Sequence, residues 1–311
     1  MSSSPDDVKS PGLWPSRRFR SKGKRRVREE GARSALIAAA STVVFFGLVV
    51  WWILSSEFWP AVQSQFFNPA NFAEAWPDVL GEFSLGFKST FPFIDFQGSG
   101  FWLNVYMFLI AEVLILVFAL ILAMIRALRG PAFFPLRALV IVFIDLIRGV
   151  PIILLILLLG FGVPALQLPG VPRSPLFWGV TTLVISYSAY TAEVYRAGIE
   201  SVHESQRMSA RSLGLTQFKA LRYVIVPQAV RNVIPAVLNG FFSLQKDVSL
   251  VFVLVIREAV REAQIYTAST LNYSSYIAAT VLFLLVSVPV ARFTDWYTER
   301  DRRRRQAVGA A

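Results

Sequence analysis

Residues 200–228 read ESVHESQRMSARSLGLTQFKALRYVIVPQ. The stretch lies between two long apolar segments, yet it carries Arg207, Arg211, Lys219 and Arg222. Its spacing predicts two short helices. The first covers residues 203–213 and stops at Gly214, the residue type best suited to a left-handed position just past a helix. Thr216 is placed to cap the second, whose early residues Gln217, Phe218, Ala220 and Leu221 favour helix. Pro227 is expected to interrupt that second helix, because proline lacks an amide hydrogen and its ring clashes with the preceding turn. A basic, partly apolar helix pair between membrane spans either lies on the bilayer surface or docks into another protein. An ordinary connecting loop is the plainer alternative.

The flanking segments make this a membrane chain. Of 311 residues 55% are hydrophobic, and the mean hydropathy is +0.53, too apolar for one soluble domain. There is no cysteine, which excludes disulfides and thiolate metal sites, and the single His203 excludes a polyhistidine metal site. Apolar segments recur at 34–54, 101–125, 136–163, 176–197, 233–255 and 276–293. Each is about 17–25 residues or somewhat more, the length needed to cross a bilayer, and helix is the form that satisfies its backbone internally. The expected fold is therefore an all-α integral membrane protein of about six transmembrane helices, with both termini on one side.

The net charge of +11 sorts by topology. The N-terminal tail, the 126–137 and 198–232 loops and the C-terminal residues from Arg292 onward together hold 24 Lys and Arg, whereas the intervening loops hold 4. The positive-inside rule puts both termini and the 200–228 loop in the cytoplasm. This explains the charge without invoking nucleic acid. The basic tail at 1–33 is expected to be irregular; it either contacts anionic lipid headgroups or only fixes orientation. The basic tail at 294–311, with Asp301 to Arg305 reading DRRRR, is expected to anchor at the membrane surface.

The 55–100 loop differs from the other connections. It carries five acidic residues against one Lys, with Phe58, Trp59, Phe66, Phe67, Trp76, Phe91, Phe93 and Phe96. Short helices lying in the outer membrane interface are the favoured reading, and a docking surface for an extracytoplasmic partner is the alternative. A seventh span is excluded, because Asp78, Glu82, Lys88 and Asp95 interrupt it.

Charges inside spans cost roughly 2.5–3.5 kcal/mol each on insertion scales, so each needs a reason. Asp145 and Arg148 are three residues apart and can pair, followed by a kink at Gly149-Val150-Pro151. Ser186, Ser188, Ala189 and Ala192 make a small-residue face suited to close helix packing, and Glu193 and Arg196 are again three apart. Lys246 and Asp247 point about 100° apart on a helix. Lys246 in a watery cavity could bind a carboxylate while Asp247 pairs elsewhere in the bundle; inter-helix contacts for both are the alternative.

Several of these stretches resemble one family. The 200–228 loop resembles the EAA loop of bacterial ABC importer permeases, in which Glu-Ala-Ala, three residues, Gly, nine residues and Ile-x-Leu-Pro form a coupling helix that enters a groove on the ATPase. Here the pattern falls on Met208, Ser209, Ala210, Gly214, Val224, Val226 and Pro227, with Met208 for the Glu, Ser209 for the first Ala and Val226 for the Leu. Residues 189–199 are similar to the family's Ala-Tyr-x-Ala-Glu-x-x-Arg-x-Gly-Ile at Ala189, Tyr190, Ala192, Glu193, Arg196, Gly198 and Ile199. Arg148 to Pro151 resembles its Arg-Gly-Thr-Pro, and Lys246 to Leu250 its Lys-Asp-(Ser/Thr)-Ser-Leu. The resemblance is to the polar amino acid group, the histidine, glutamate, glutamine and arginine permeases, and it covers about residues 101–293.

It implies the type I importer permease fold, with a five-helix core at 101–293 behind an additional helix at 34–54. It implies a location in the bacterial cytoplasmic membrane, and a transport subunit rather than an enzyme. No Gly-x-x-x-x-Gly-Lys-Ser/Thr loop occurs, so ATP and Mg are expected on partner subunits. The implied partners are an ATPase dimer, a second permease chain, an extracytoplasmic amino-acid-binding protein and membrane lipid. The expected ATPase-coupling residues are Gln206, Met208, Ser209, Ala210, Leu213, Gly214 and Pro227, within a coupling segment at 202–221. The expected cavity residues are Ser186, Tyr190, Glu193, Asn239 and Lys246. Ion-pair or hinge roles are expected for Asp145, Arg148, Gly149, Pro151, Arg196 and Asp247. A stand-alone secondary transporter or channel is the rival reading.

Overall fold

The computed structural model describes residues 18–83, 88–90, 93–95, 98–128 and 130–309. The chain divides into two compact units, Met1–Gln63 and Ser64–Ala311.

The first unit is dominated by α1 (Arg18–Leu54), 37 residues long. Its stretch Ala35–Leu54 is long and apolar enough to cross a membrane and is exposed on all faces, as expected of a helix whose surroundings are lipid. The hydroxyls of Ser41 and Thr42 donate to the Ala38 carbonyl at 3.0 and 2.7 Å, so the span carries no free hydroxyl there. The helix begins well before the apolar stretch. Residues 18–33, expected to be irregular, are helical, because Arg, Lys and Glu at spacings of four favour helix and continue the span without a break. Residues 1–17 lie outside the described residues. The helix α2 (Trp59–Phe66) crosses the boundary between the units in sequence.

The second unit opens with α3 (Pro69–Leu80). Asn68 caps it, its side chain accepting from the Ala70 and Asn71 amides at 3.0 and 3.4 Å, and Pro69 starts the first turn where its missing donor costs nothing. Strands β1 (Lys88–Thr90) and β2 (Phe93–Asp95) pair antiparallel. Then come α4 (Gly100–Ala127), α5 (Phe134–Gly149), α6 (Ile152–Leu157), a π-turn at Leu158–Gly162, α7 (Val163–Ala165) and α8 (Pro175–Glu200). The chain ends with α9 (Glu204–Ser212), α10 (Gln217–Ala220), a π-turn at Leu221–Ile225, α11 (Val226–Asp247), a 3-10 stretch at Val248–Leu254, α12 (Ala259–Thr270) and α13 (Ser274–Gly309).

The aromatic 55–100 loop is more integrated than an interfacial segment. Ala75 and Val79 of α3 are buried, with Phe72, Trp76 and Leu80 beside them, against Phe101 of α4, Ala259, Ala263 and Tyr266 of α12 and Ala278, Ala279 and Leu282 of α13. Tyr266 donates to Glu74 at 3.0 Å, and Phe66 stacks on Tyr273 at 5.2 Å. Trp76 thus meets protein rather than lipid, whereas Phe66, 41% exposed, does so only on the face stacked on Tyr273. Phe58 and Phe67 are exposed, while Phe91 and Phe96 lie outside the described residues.

Among the described residues, four helical stretches are long and apolar enough to cross a membrane: Ala35–Leu54, Gly100–Ala127, Leu221–Leu254 and Ser274–Arg303. A fifth results if Pro131–Gly149 and Ile152–Ala165, bent by 106°, are taken as one broken span. Two expectations change here. The 136–163 segment is broken rather than kinked. Gly149 loosens the helix, and Pro151 disfavours helical backbone at Val150, whose φ and ψ of −104° and 133° are extended. The expected span at 176–197 corresponds to α8, 26 residues and therefore about 39 Å long, but it is not among the helices apolar enough. It carries Thr182, Ser186 and Ser188 buried among neighbours.

The core sits around α8. Met107 and Ile115 of α4, Ile156 of α6, Leu183 of α8, Leu244 of α11, and Val251 and Leu254 of the 3-10 stretch form the largest buried cluster. Ala119 of α4 meets Ala189 and Ala192 of α8, with Val140 and Ile144 of α5. The small-residue face of α8 thus lets the backbones of α4 and α8 approach, and Ser188 donates to the Ile115 carbonyl at 3.4 Å.

Candidate substrate cavity and coupling loop

Where α8 crosses α11, their facing residues leave a cavity of about 690 Å³. From α8 it is lined by Tyr187, Tyr190, Thr191 and Val194; from α11 by Ala236, Asn239, Gly240, Ser243 and Asp247; at one end by the broken turn from Arg148 to Ile152. The α11 contribution follows helical geometry. Ala236, Gly240, Ser243 and Asp247 recur at steps of four, three and four, one stripe of a 3.6-residue helix. Three small residues on that stripe, Ala236, Gly240 and Ser243, leave the space, and Asp247 ends it. The carboxylate of Asp247 accepts a hydrogen bond from the Tyr187 hydroxyl at 2.7 Å. At the other end the Arg148 guanidinium lies over the Tyr190 ring, 5.6 Å from its centre, and the Tyr190 hydroxyl donates to the Arg148 carbonyl at 3.3 Å. Neither Asp247 nor Arg148 has an ion-pair partner among the described residues. One cavity therefore offers an unpaired carboxylate, an unpaired guanidinium, and amide and hydroxyl groups between them.

Two of the five expected cavity residues, Tyr190 and Asn239, line this space. Ser186 is buried on the packed side of α8. Glu193 accepts from Arg196 at 2.8 and 3.0 Å and also pairs with Arg126 of α4; Arg196 in turn pairs with Glu200. It belongs to an ion-pair chain that fixes the end of α4 to the end of α8. Lys246 lies about 100° around α11 from Asp247, with its ammonium over the Phe242 ring at 4.3 Å. It lines a different cavity of about 400 Å³, with Tyr276, Thr280 and Ser287 of α13. Neighbours 246 and 247 thus face different cavities: Asp247, bonded to Tyr187, faces the α8 cavity and Lys246 does not. Asp145 and Arg148 do not pair, since Arg148 is taken up by Tyr190, whereas the expected pair of Arg196 with Glu193 is formed. Gly149 and Pro151 mark the break.

Sequence reasoning missed Tyr187, Thr191 and Ser243. The available signal was the stripe itself: polar residues on α11 in register with Asp247, and Tyr187 three before Tyr190 on α8.

The loop between α8 and α11 folds as two short helices. His203 caps α9, its ring nitrogen accepting from the Ser205 amide at 3.2 Å. Gly214 follows α9 with φ of +79°, a conformation that disfavours any side chain. Thr216 accepts from the Lys219 amide at 3.4 Å. Pro227 does not interrupt the helix. It lies in the first turn of α11 directly after the π-turn, whose extra residue shifts the register so that the helix continues. Ala210 is buried, while Met208 and Leu213 are 58% and 82% exposed, and Gln206 and Ser209 face solvent. Two long apolar side chains thus stand outward on a basic loop.

The chain is similar in sequence and fold to known proteins. Residues 116–303 match the family model described as binding-protein-dependent transport system inner membrane component. A probable amino-acid permease, YxeN of Bacillus subtilis, is 32% identical over 63% of this chain and 86% of its own length. The probable glutamine ABC transporter permease GlnM of the same organism is 32% identical over 63% and 90%. The glutamine transport system permease GlnP of Escherichia coli is 31% identical over 49% and 69%. Among solved structures, an amino acid ABC transporter crystallised with histidines matches with a TM-score of 0.59 and 29% identity over 65% of this chain and 92% of that one. The inward-facing MetNI methionine ABC transporter shares the fold at 14% identity and a TM-score of 0.51, over 64% and 93%. The bundle around α8, the exposed helix pair between α8 and α11, and these likenesses agree: the chain belongs to the binding-protein-dependent transport system inner membrane component family.

Proposed function

We propose that this chain is the transmembrane subunit of an ATP-driven importer for a polar amino acid, and that the α8–α11 cavity receives the substrate. The observation that carries this is the presence of Asp247 and Arg148, not paired with each other, in one cavity of about 690 Å³. An amino acid carries an ammonium and a carboxylate, and a cavity offering one group of each opposite sign suits that zwitterion. Asn239, Thr191 and Ser243 supply neutral hydrogen-bonding groups for the side chain. The names of the relatives support the substrate class.

In this reading both termini and the 202–221 loop lie in the cytoplasm, as the distribution of Lys and Arg indicates. ATP and Mg are held by a separate ATPase dimer. The exposed Met208 and Leu213 enter its grooves, and Gly214 and Thr216 shape the loop. A second permease chain completes the transmembrane pathway, and an extracytoplasmic binding protein delivers substrate at the outer mouth. Closure of the ATPases rocks the two permease halves, and the cavity alternates between outward and inward access. A stand-alone transporter would leave the outward-facing apolar side chains of the loop without a use.

The test is purification from native membranes in mild detergent, followed by reconstitution with whatever co-purifies. The expected result is an ATPase in near-equal amount and uptake of an amino acid that Asp247→Asn lowers at least tenfold, with the ATPase still bound. Purification of the chain alone across several detergents, or unchanged uptake by Asp247→Asn, would overturn the respective parts of the reading.

A further inference from the structure

Immediately beneath the cavity the two helices that flank the coupling loop are tied together. Gly198 of α8 faces α11 so closely that a Cβ there would fall 1.9 Å from a methyl carbon of Val233 and 3.4 Å from the Ala229 carbonyl oxygen. One turn further along, Asn232 donates to the Ser201 hydroxyl at 2.7 Å, and that hydroxyl donates to the Gly198 carbonyl at 2.7 Å. Below these ties Val202, Ile225 and Ala229 form a small buried cluster with Ile199 beside it. This cluster joins the link between α8 and α9, the π-turn and the first turn of α11. Gly198, Ser201, Asn232 and Val233 themselves line one wall of a cleft of about 480 Å³ that continues past Ala197 to Val194 and Ala236, two residues that also line the α8–α11 cavity.

We propose that the Gly198–Val233 contact and the Ser201–Asn232 hydrogen bond form a rigid clamp, so that the coupling loop and the floor of the cavity move as one body. Packed interfaces shift between discrete arrangements rather than deforming continuously. A loop hinged at both ends would absorb the displacement of a docked ATPase in its own backbone. A loop clamped across its base passes the displacement to α8 and α11 together. Gly198, Ser201, Asn232 and Val233 are then positioning residues, which touch neither substrate nor nucleotide. The inference rests on the coupling role proposed for the loop.

Two experiments on the reconstituted transporter test it, each reading substrate transported per ATP hydrolysed. In the first, Gly198→Ala and Val233→Ala are made singly and together. Each single change is expected to lower the ratio several-fold, one by forcing the helices apart and the other by emptying the contact. The double variant adds one methyl on α8 and removes two from α11, leaving the two Cβ atoms 3.4 Å apart, and is expected to recover most of the ratio. If the variants change only the yield or thermal stability of the complex, with an unaltered ratio, the clamp has no part in coupling. In the second, Ser201→Cys and Asn232→Cys are combined in this naturally cysteine-free chain and joined by oxidation or a short bis-thiol reagent. The cross-linked form is expected to retain most of the transport of its reduced form. Loss of transport on cross-linking, restored by reductant, would mean that the helices separate during the cycle and would refute the proposal. Failure to cross-link in every nucleotide state would refute the contact itself. If the unaltered chain binds no ATPase, the coupling reading fails first, an outcome distinguishable from either of these.

Discussion

Glu258 gives the sharpest prediction for stability. It is fully buried, outside the spans, at the start of α12. One carboxylate oxygen accepts from the Arg261 amide at 2.7 Å and the other from the Asn104 side chain at 2.8 Å, while Asn104 accepts from the Ala259 amide at 3.0 Å. These contacts join α4 to α12. Burial nevertheless raises its pKa from 4.5 to about 7, against the lowering effect of the hydrogen bonds. A carboxyl whose folded pKa lies above its unfolded value binds its proton more tightly when folded. Its contribution is fully present below pH 4.5 and is lost as pH rises through about 7. A separation of about 2.5 in pKa, at about 1.4 kcal/mol each, is a loss of about 3–4 kcal/mol. Glu258→Gln keeps a neutral side chain of the same shape and cannot ionise. The assay is the thermal midpoint of the detergent-purified chain at pH 5 and pH 8, for wild type and Glu258→Gln. The wild type should fall relative to the variant by about 5 °C or more at the higher pH. A difference between the two that does not change with pH, or one that favours the wild type at pH 8, would show that the hydrogen bonds outweigh burial.

The ion-pair chain at the other end of α4 makes a second test: Glu193→Ala removes the carboxylate shared by Arg126 and Arg196 and should cost about 3 kcal/mol, read as a lower thermal midpoint, whereas Glu200→Ala, at an exposed site, should cost under about 1 kcal/mol. Leu213→Asp should leave the thermal midpoint unchanged, because the side chain is 82% exposed, but reduce ATPase co-purification at least tenfold. Gly214→Pro is incompatible with φ of +79° and should abolish transport-coupled ATP hydrolysis while the membrane bundle still purifies as a monodisperse species; intact coupling would remove the loop from the mechanism.

What could be read in the sequence was what lies within one or two turns of chain. His203 to Thr216 form the expected helix, stop and cap, because those signals are local backbone chemistry. The Glu193–Arg196 pair follows from a spacing of three. Its third member, Arg126, comes from another helix and has no signature in spacing. The break at Gly149 to Pro151 was legible as a kink, but its angle of 106° depends on what α6 packs against. The different settings of Lys246 and Asp247 have the same origin. Adjacent residues on a helix point about 100° apart, so the sequence alone establishes that they differ in environment. Which of them meets α8 depends on the rotation of α11, set by Leu244 and by the hydrogen bond between buried Gln245 and Ser287 of α13 at 2.6 Å.

Hydropathy fails at α8 for a reason that also explains the cavity. A helix facing lipid must be apolar on its outer surface, as Leu109, Val113 and Leu120 of α4 are, each more than half exposed. A helix enclosed by other helices has no such requirement. The α8 helix packs against α4, α5, α6 and α11, so its polar groups need only find partners within the protein. Thr182 returns its hydroxyl to the Trp178 carbonyl at 2.7 Å, Ser188 reaches α4, and Tyr187 reaches Asp247. Freed from contact with lipid, the face toward α11 can carry the hydroxyls that line the cavity. The polarity that removes α8 from a count of apolar spans is thus what lines the cavity proposed to receive a polar substrate. The corresponding expectation is an asymmetry in tolerance: a serine at Leu109 or Val113 meets hydrocarbon, whereas the hydroxyls of Tyr187, Tyr190 and Thr191 stand where a protein or substrate partner is within reach.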